Sequence, residues 1–353
     1  MGRRYPFKNL VFKGGGIKAF AYLGAIQASE EHKILSQIDR VAGNSAGSLM
    51  APLLSFRKDA EETSKILSTL DYSEVASPLL EEEDASEGAI SEVIKKQEKK
   101  IRGGMSAISG LYQDFGLFSS EPLLDWLEEV IAEQCKGNGK ATFADFKRFG
   151  FRDVHIVATN ISAHEVTEFS ADLTPEVPVA DAAIASSSIP FFFKPRQFKS
   201  DRFSGNDYFV DGGVLTNYPL HIFDHHKFKK KNRYYDQGVN WATLGCRLYT
   251  PEGCKGEIEP INSFPSFIKN LVETLAITED VTFENTLIDQ LRTIDISNCC
   301  VSAIDFSIQP GSEKYKELFA AGWSATNEFL ENYRFPKDGY SGIWEKFREY
   351  LGS

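Results

Sequence analysis

The chain is short of basic charge, cysteine, histidine and long apolar runs, and each shortage narrows what it can do. Lys and Arg number 39 against 50 Asp and Glu, for a formal net charge of -11. Phosphate neutralisation needs a basic face, so nucleic acid is not the expected partner. The five cysteines, Cys135, Cys246, Cys254, Cys299 and Cys300, are odd in number and form no C-x-x-C spacing. Neither a disulfide framework nor a zinc site is expected, no cofactor is indicated, and the usage fits a reducing compartment. Nothing approaches the roughly 18 consecutive apolar residues of a membrane span, so any membrane contact is expected to be peripheral. Arg3 and Arg4 are followed by Pro6 and Lys8 rather than by a signal-peptide core. A cytoplasmic or peripheral membrane location is therefore expected, while secretion without a cleaved signal would leave no mark in the sequence.

What is present describes a globular α/β protein. At 42% hydrophobic and 25% charged the chain can bury a full core, and with no Pro/Gly/Ser-rich linker or internal repeat it reads as one elaborated domain. Residues 9–13 (NLVFK) form a short apolar run, Gly14-Gly15-Gly16 a turn, and residues 19–31 a helical pattern. The grammar repeats with a strand at 38–42, a turn at 43–47 and a helix at 48–56. Successive strand-helix units imply a mostly parallel sheet covered by helices. From residue 57 to about 140 the composition turns charged and helical, as an insertion would. The sheet resumes at 153–159, with 166–169 as a hairpin partner and 208–210 as a further strand. Between them, residues 180–195 read as a helix stopped at Pro190. The last third offers an amphipathic helix over 265–290, strands near 293–296 and 303–308, and a helix from 312 to about 332.

Three motifs carry chemistry. In Gly43-Asn44-Ser45-Ala46-Gly47 the flanking glycines permit a strained strand-to-helix turn that presents the serine hydroxyl at a helix N-terminus. A G-x-S-x-G by itself is a weak signal, strengthened here by its strand-then-helix setting. A serine needs a base to take its proton. None of His32, His155, His164, His221, His225 and His226 sits in a recognisable triad setting. His155 reads as a satisfied sheet residue, and His221, His225 and His226 as surface positions. Asp211, at the end of an apolar run and followed by Gly212-Gly213, is the better candidate, although an Asp before Gly is most often a plain turn. Gly14-Gly15-Gly16-Ile17-Lys18 offers backbone N–H groups for an oxyanion. It fits neither the P-loop spacing nor G-x-G-x-x-G, because the sixth position is Ala19.

In this order the motifs resemble the patatin-like phospholipase family, whose pattern is a glycine-rich oxyanion loop with Arg or Lys, then G-x-S-x-G, then D-G-G or D-G-A. The resemblance continues through Ala158-Thr159-Asn160, the segment with Pro190 and Phe193, Val214, Asn217 and Pro219, and C-terminal features up to the helix carrying Leu318, Gly322 and Phe329. It implies a patatin-like three-layer domain over residues 9–331 with a helical insertion or lid at 57–140, leaving 332–353 as a C-terminal extension. It also implies a dyad, with Ser45 as nucleophile and Asp211 as its base. Gly14, Gly15 and Gly16 would form the oxyanion hole, with Lys18, Gly43, Gly47, Gly212 and Gly213 supporting the motifs. Phospholipid or lysophospholipid would be the substrate, met at a transient membrane surface, with room for a protein or ligand activator. Transfer of the acyl group to an alcohol, or a Ser-His-Asp esterase, are the alternatives. Lys18 stands where arginine is more frequent, and Ala19 where a further glycine often follows. Two features stay open. Phe191-Phe192-Phe193 reads as core before acyl pocket or membrane contact, and the basic loop from Lys227 to Arg233 as a solvated loop or an attractor of anionic head groups.

Overall fold

The computed structural model describes residues 5–71, 115–254 and 286–333 apart from 231, 304 and 306, together with 261, 267, 270, 271, 273 and 274. The middle of the insertion, most of the helix expected over 265–290 and nearly all of the C-terminal extension lie outside the described residues.

Eleven strands are described: β1 (Asn9–Phe12), β2 (Arg40–Asn44), β3 (Gly116–Phe118), β4 (Asp153–Asn160), β5 (Glu165–Ser170), β6 (Phe191–Phe193), β7 (Phe209–Asp211), β8 (Tyr235–Asp236), β9 (Val239–Asn240), β10 (Thr243–Tyr249) and β11 (Thr293–Ser297). The helices are α1 (Phe20–Glu31), α2 (Ala46–Ser55), α3 (Ala60–Leu67), α4 (Glu121–Gln134), α5 (Phe143–Phe149), α6 (Val179–Ser186), α7 (Leu287–Gln290) and α8 (Glu313–Asn332). The main sheet runs β11-β10-β1-β2-β4-β5, with β7 also paired to β4. Its first five strands are parallel, and β5 and β7 lie antiparallel to β4.

Alternation along the strands divides the interior. Leu10, Phe12 and Val41 point into a large core shared with α1, α2, α6 and α8, while Val11 and Ala42 face a smaller one closed by Tyr218, Leu220 and Phe223. Parallel strands covered on both faces read as unbroken apolar runs, and β10 is fully covered except at Tyr249. Its sequence, TLGCRLY, breaks that run with Gly245 and Arg247. No strand is expected there from the sequence, yet β10 is the immediate neighbour of β1. Tyr218 lies over Gly245, and Arg247 pairs with Asp295 of β11 at 2.7 Å.

Three other expectations are corrected. The helix expected over 180–195 and stopped at Pro190 spans Val179–Ser186, and the hydroxyls of Ser187 and Ser188, just beyond its end, donate to the carbonyls of Ala183 and Ile184. The described residues of 303–308 form turns, not a strand. Cys254 and Cys300 are joined as a disulfide, leaving Cys135, Cys246 and Cys299 free. They follow adjacent strands, β10 and β11, so the sheet brings together two cysteines that sequence spacing could not pair.

Candidate active site

The site forms at the carboxyl end of the sheet, where two chain ends meet. Asn44, the last residue of β2, pairs in register with Val157 of β4, and Asp211, the last residue of β7, pairs with Ala158. Because β5 occupies the other edge of β4, β2 and β7 run toward each other along one edge. Ser45 and Asp211 therefore arrive at the same place from opposite directions.

Ser45 has φ 52 and ψ -125 and caps the N-terminus of α2. A non-glycine residue in this region is strained, and its neighbours must hold it there. Its N–H donates to Ser186 Oγ at 2.9 Å, while Ser48 Oγ and Ser187 Oγ donate to its carbonyl at 2.6 and 3.1 Å. Ser186 in turn donates to the Val157 carbonyl at 2.6 Å. The tightness of the turn explains its glycines. A Cβ at Gly43 would stand 2.0 Å from the Gly47 carbonyl oxygen, and one at Gly47 2.5 Å from that of Phe12. Ser186 and Ser187 are the part that motif reading missed; only the run of serines just before Pro190 hints at them.

Asp211 is buried, and its carboxylate accepts the Gly213 N–H at 2.7 Å. Burial pushes its carboxyl up to about 6, against the opposing influence of the Ser45 hydroxyl, the Gly213 N–H and the Asn44 side chain. A Cβ on Gly212 would meet Asn44 Oδ1 at 2.0 Å, so Gly212 is where the aspartate turn and the serine elbow touch. Asn217 ties in the third motif: its carbonyl accepts the Gly14 N–H at 2.9 Å and its Oδ1 accepts from Asn44 Nδ2 at 3.1 Å. The Gly14 amide is thereby committed within the protein. Of the three glycines expected as oxyanion donors, Gly15 and Gly16 are those with no amide partner among the described residues, and both line the cleft that holds Ser45 and Asp211.

Lys18 lines neither recess at Ser45. It is buried, with its ammonium 3.5 Å from Glu273. The histidines divide as well. His155 is packed in the sheet against Phe223, with Nδ1 2.8 Å from Glu168. His221 bridges Asp224 and Asp289 at 3.0 Å each beside Arg292, at the amino end of β11, and the two aspartates push it up to about 9. His225 and His226 are exposed. No histidine lines either recess at Ser45. The basic loop also lies at the amino end of the sheet: Phe228 within it packs under Arg40, the first residue of β2. Lys227 there pairs with Glu168 at 3.5 Å, and none of the loop's described lysines lines either recess at Ser45.

Ser45 is shared by two recesses of contrasting character. One, about 430 Å³, is lined by Gly14, Gly15, Gly16, Asp211, Gly213 and Asn217. The other, about 660 Å³, is walled by Ile17, Phe20, Leu49, Met50, Leu67, Leu70, Leu123 and Phe193. Leu67, Leu70 and Leu123 come from the two ends of the insertion, so the insertion builds part of the apolar wall.

Comparison with known proteins agrees with this architecture. The model of the family described as "Patatin-like phospholipase" matches residues 10–224. The chain belongs to that family. It is 29% identical over 219 residues to "Uncharacterized protein YqhO" of Bacillus subtilis, a match covering 60% of this chain and 65%, just under two thirds, of that protein. It is 25% identical over 238 residues to "Probable lipid hydrolase 463L" of Invertebrate iridescent virus 6, covering 67% of this chain and 70% of the viral one. Among solved structures, VipD from Legionella pneumophila superposes with TM-score 0.52 at 19% identity, covering 93% of this chain and 67% of VipD, which is a likeness of fold. Among the described residues, no helix is long and apolar enough to cross a membrane.

Proposed function

We propose that the protein hydrolyses the acyl esters of phospholipids or lysophospholipids through a Ser45–Asp211 dyad. The observation that carries this is the position of Ser45 between an apolar recess and a polar cleft containing a buried carboxylate and unoccupied backbone donors. A fatty acyl chain fits the first, and the ester carbonyl with its polar leaving group fits the second. Ser45 Oγ attacks the carbonyl carbon as Asp211 takes its proton. The oxyanion is held by the N–H groups of Gly15 and Gly16. Asp211 then gives the proton to the departing alcohol oxygen. Water, deprotonated by the same carboxylate, attacks the acyl-enzyme; the bond to Ser45 Oγ breaks, Asp211 returns the proton to that oxygen, and free fatty acid leaves.

The experiment is release of fatty acid from phospholipid vesicles and from a soluble short-chain ester, with and without cell extract as a source of activator. Release into water supports hydrolysis. Quantitative recovery of the acyl group on an added alcohol or lysolipid would reassign the protein as a transferase, and no turnover of either substrate under any condition would reject the reading.

The base must be ionised to act. Because burial holds Asp211 at about 6, kcat/KM on the soluble ester should fall about tenfold per pH unit below that value and level off above it. A profile flat down to pH 4 would rule out Asp211 as the base.

The rim of the site supports a lipid surface as the place of action. Phe191 is 43% exposed and Leu215 50%, and each directly follows a residue lining the polar cleft, Pro190 and Val214. Phe115, 52% exposed, sits edge-on to Tyr208 and precedes Gly116, which pairs with Phe191. Phe115 and Phe191 both have positive φ, an unfavourable backbone for a bulky side chain. Phe192 and Phe193 are buried, so the triplet divides between core and surface. Phe191→Ser should lower hydrolysis of vesicle lipid by about tenfold, and hydrolysis of the soluble ester much less. Equal losses on both substrates would argue against a membrane role for Phe191.

A further inference from the structure

We propose that Glu273 is a positioning residue for the oxyanion loop, acting through Lys18 and the turn at 302–303. This rests on the reading of the site as a serine hydrolase.

The glycine loop is wedged between two walls. On one side Gly14 lies against the nucleophile, where a Cβ would stand 2.9 Å from Ser45 Cβ. On the other, Gly16 lies against Ala303, where a Cβ would stand 1.9 Å from the carbonyl oxygen. That same oxygen accepts the Ile17 N–H at 3.0 Å. The place of Ala303 thus sets how far Gly15 and Gly16 stand from the carbonyl that Ser45 attacks.

Glu273 fixes Ala303 from behind. Its Oε1 accepts the Ser302 hydroxyl at 2.7 Å and the Ala303 N–H at 3.2 Å, and its Oε2 lies 3.5 Å from Lys18 Nζ. Lys18 belongs to the 3-10 turn Gly16–Ala19 that continues the glycine loop. One carboxylate therefore joins both ends of the Ile17–Ala303 contact. A buried ammonium is unfavourable without an opposite charge, so the pairing also holds the turn in place. Glu273 lines neither recess at Ser45. Its influence passes through the loop, not to the substrate. Neighbouring Cys300, disulfide-linked to Cys254, anchors the preceding part of the same segment. Oxyanion donors act only at close distance, and misplacement by about 1 Å is enough to lower the rate by about a hundredfold.

The test compares Glu273→Ala, Glu273→Gln and Ser302→Ala with wild type, in the full chain. The readouts are kcat and KM on the soluble ester, and the rate of covalent modification by an alkyl fluorophosphonate, whose phosphoryl oxygen needs the same donors. Glu273→Ala should lose about 10- to 100-fold in kcat and in modification rate, with KM within about twofold. Glu273→Gln, which keeps an acceptor for Ser302 and Ala303 but not the charge opposite Lys18, should recover part of that loss. Ser302→Ala, which leaves the charge pair intact, should lose about threefold and keeps the test usable if Glu273→Ala does not fold. Wild-type kcat and modification rate in a folded Glu273→Ala, or in Ser302→Ala if it does not fold, would overturn the inference. So would a Glu273→Gln as impaired as Glu273→Ala. If wild type itself neither turns over nor reacts, it is the hydrolase reading that fails, and the positioning role falls with it.

Discussion

Asp211→Asn is expected to leave ester turnover about 10³- to 10⁴-fold below wild type, and Ser45→Ala to abolish it. The asparagine is close in shape and can still accept the Gly213 N–H, so the loop geometry should persist while the base is gone. Stability should move the opposite way. Burial raises the Asp211 carboxyl to about 6 from the ordinary 3.8. The neutral acid is thus favoured by folding, and that contribution is fully present below about 3.8 and is lost as pH rises through about 6. At neutral pH the fold carries the penalty of a buried carboxylate, which a neutral amide relieves by about 1–3 kcal/mol. A variant that is inactive yet unfolds at a higher denaturant midpoint would separate loss of chemistry from loss of fold. An Asp211→Asn protein within tenfold of wild-type turnover would mean the base lies elsewhere.

Gly16→Ala should have the next largest effect. Gly16 has φ +56, where a side chain is strained whatever the space, and the space itself is taken by the Ala303 carbonyl. The obstacle is backbone and cannot rotate away, so the loop must shift and carry the Gly15 and Gly16 donors with it. Removing one oxyanion donor ordinarily lowers kcat by about 10²- to 10³-fold, and a loss of that size is expected here. Overpacking should lower the unfolding free energy by about 1–3 kcal/mol in addition. Soluble-ester kinetics read beside an unfolding curve would check both, and kcat within threefold of wild type would contradict the placement of the oxyanion loop.

The motifs were legible because each needs residues that little else can replace. Gly43 and Gly47 are dictated by carbonyls about where a Cβ would go, Gly16 by positive φ, and Gly212 by the Asn44 side chain. Such local demands leave a mark in a single sequence. Contacts made across the sheet do not. Ser186, Ser187 and Ala303 hold the site from segments far away in the chain, and they reach it only because β7 runs head-on to β2 and because β10 and β11 extend the sheet beyond β1. β10 was hidden by Gly245 and Arg247, whose partners Tyr218 and Asp295 lie on other segments. The Cys254–Cys300 pair was hidden for the same reason. Gly14 was legible as part of the loop but not as the member whose amide is already used by Asn217. The basic loop from 227 onward follows Asp211 in sequence. The chain between them crosses from the carboxyl end of the sheet to the amino end.

The most direct test of the dyad is peptide mapping by mass spectrometry after treatment with an alkyl fluorophosphonate. A single phosphonyl adduct on Ser45, absent from Ser45→Ala and formed far more slowly by Asp211→Asn, is the predicted result; an adduct on a different serine, or fatty acid release that persists in Ser45→Ala, would contradict it.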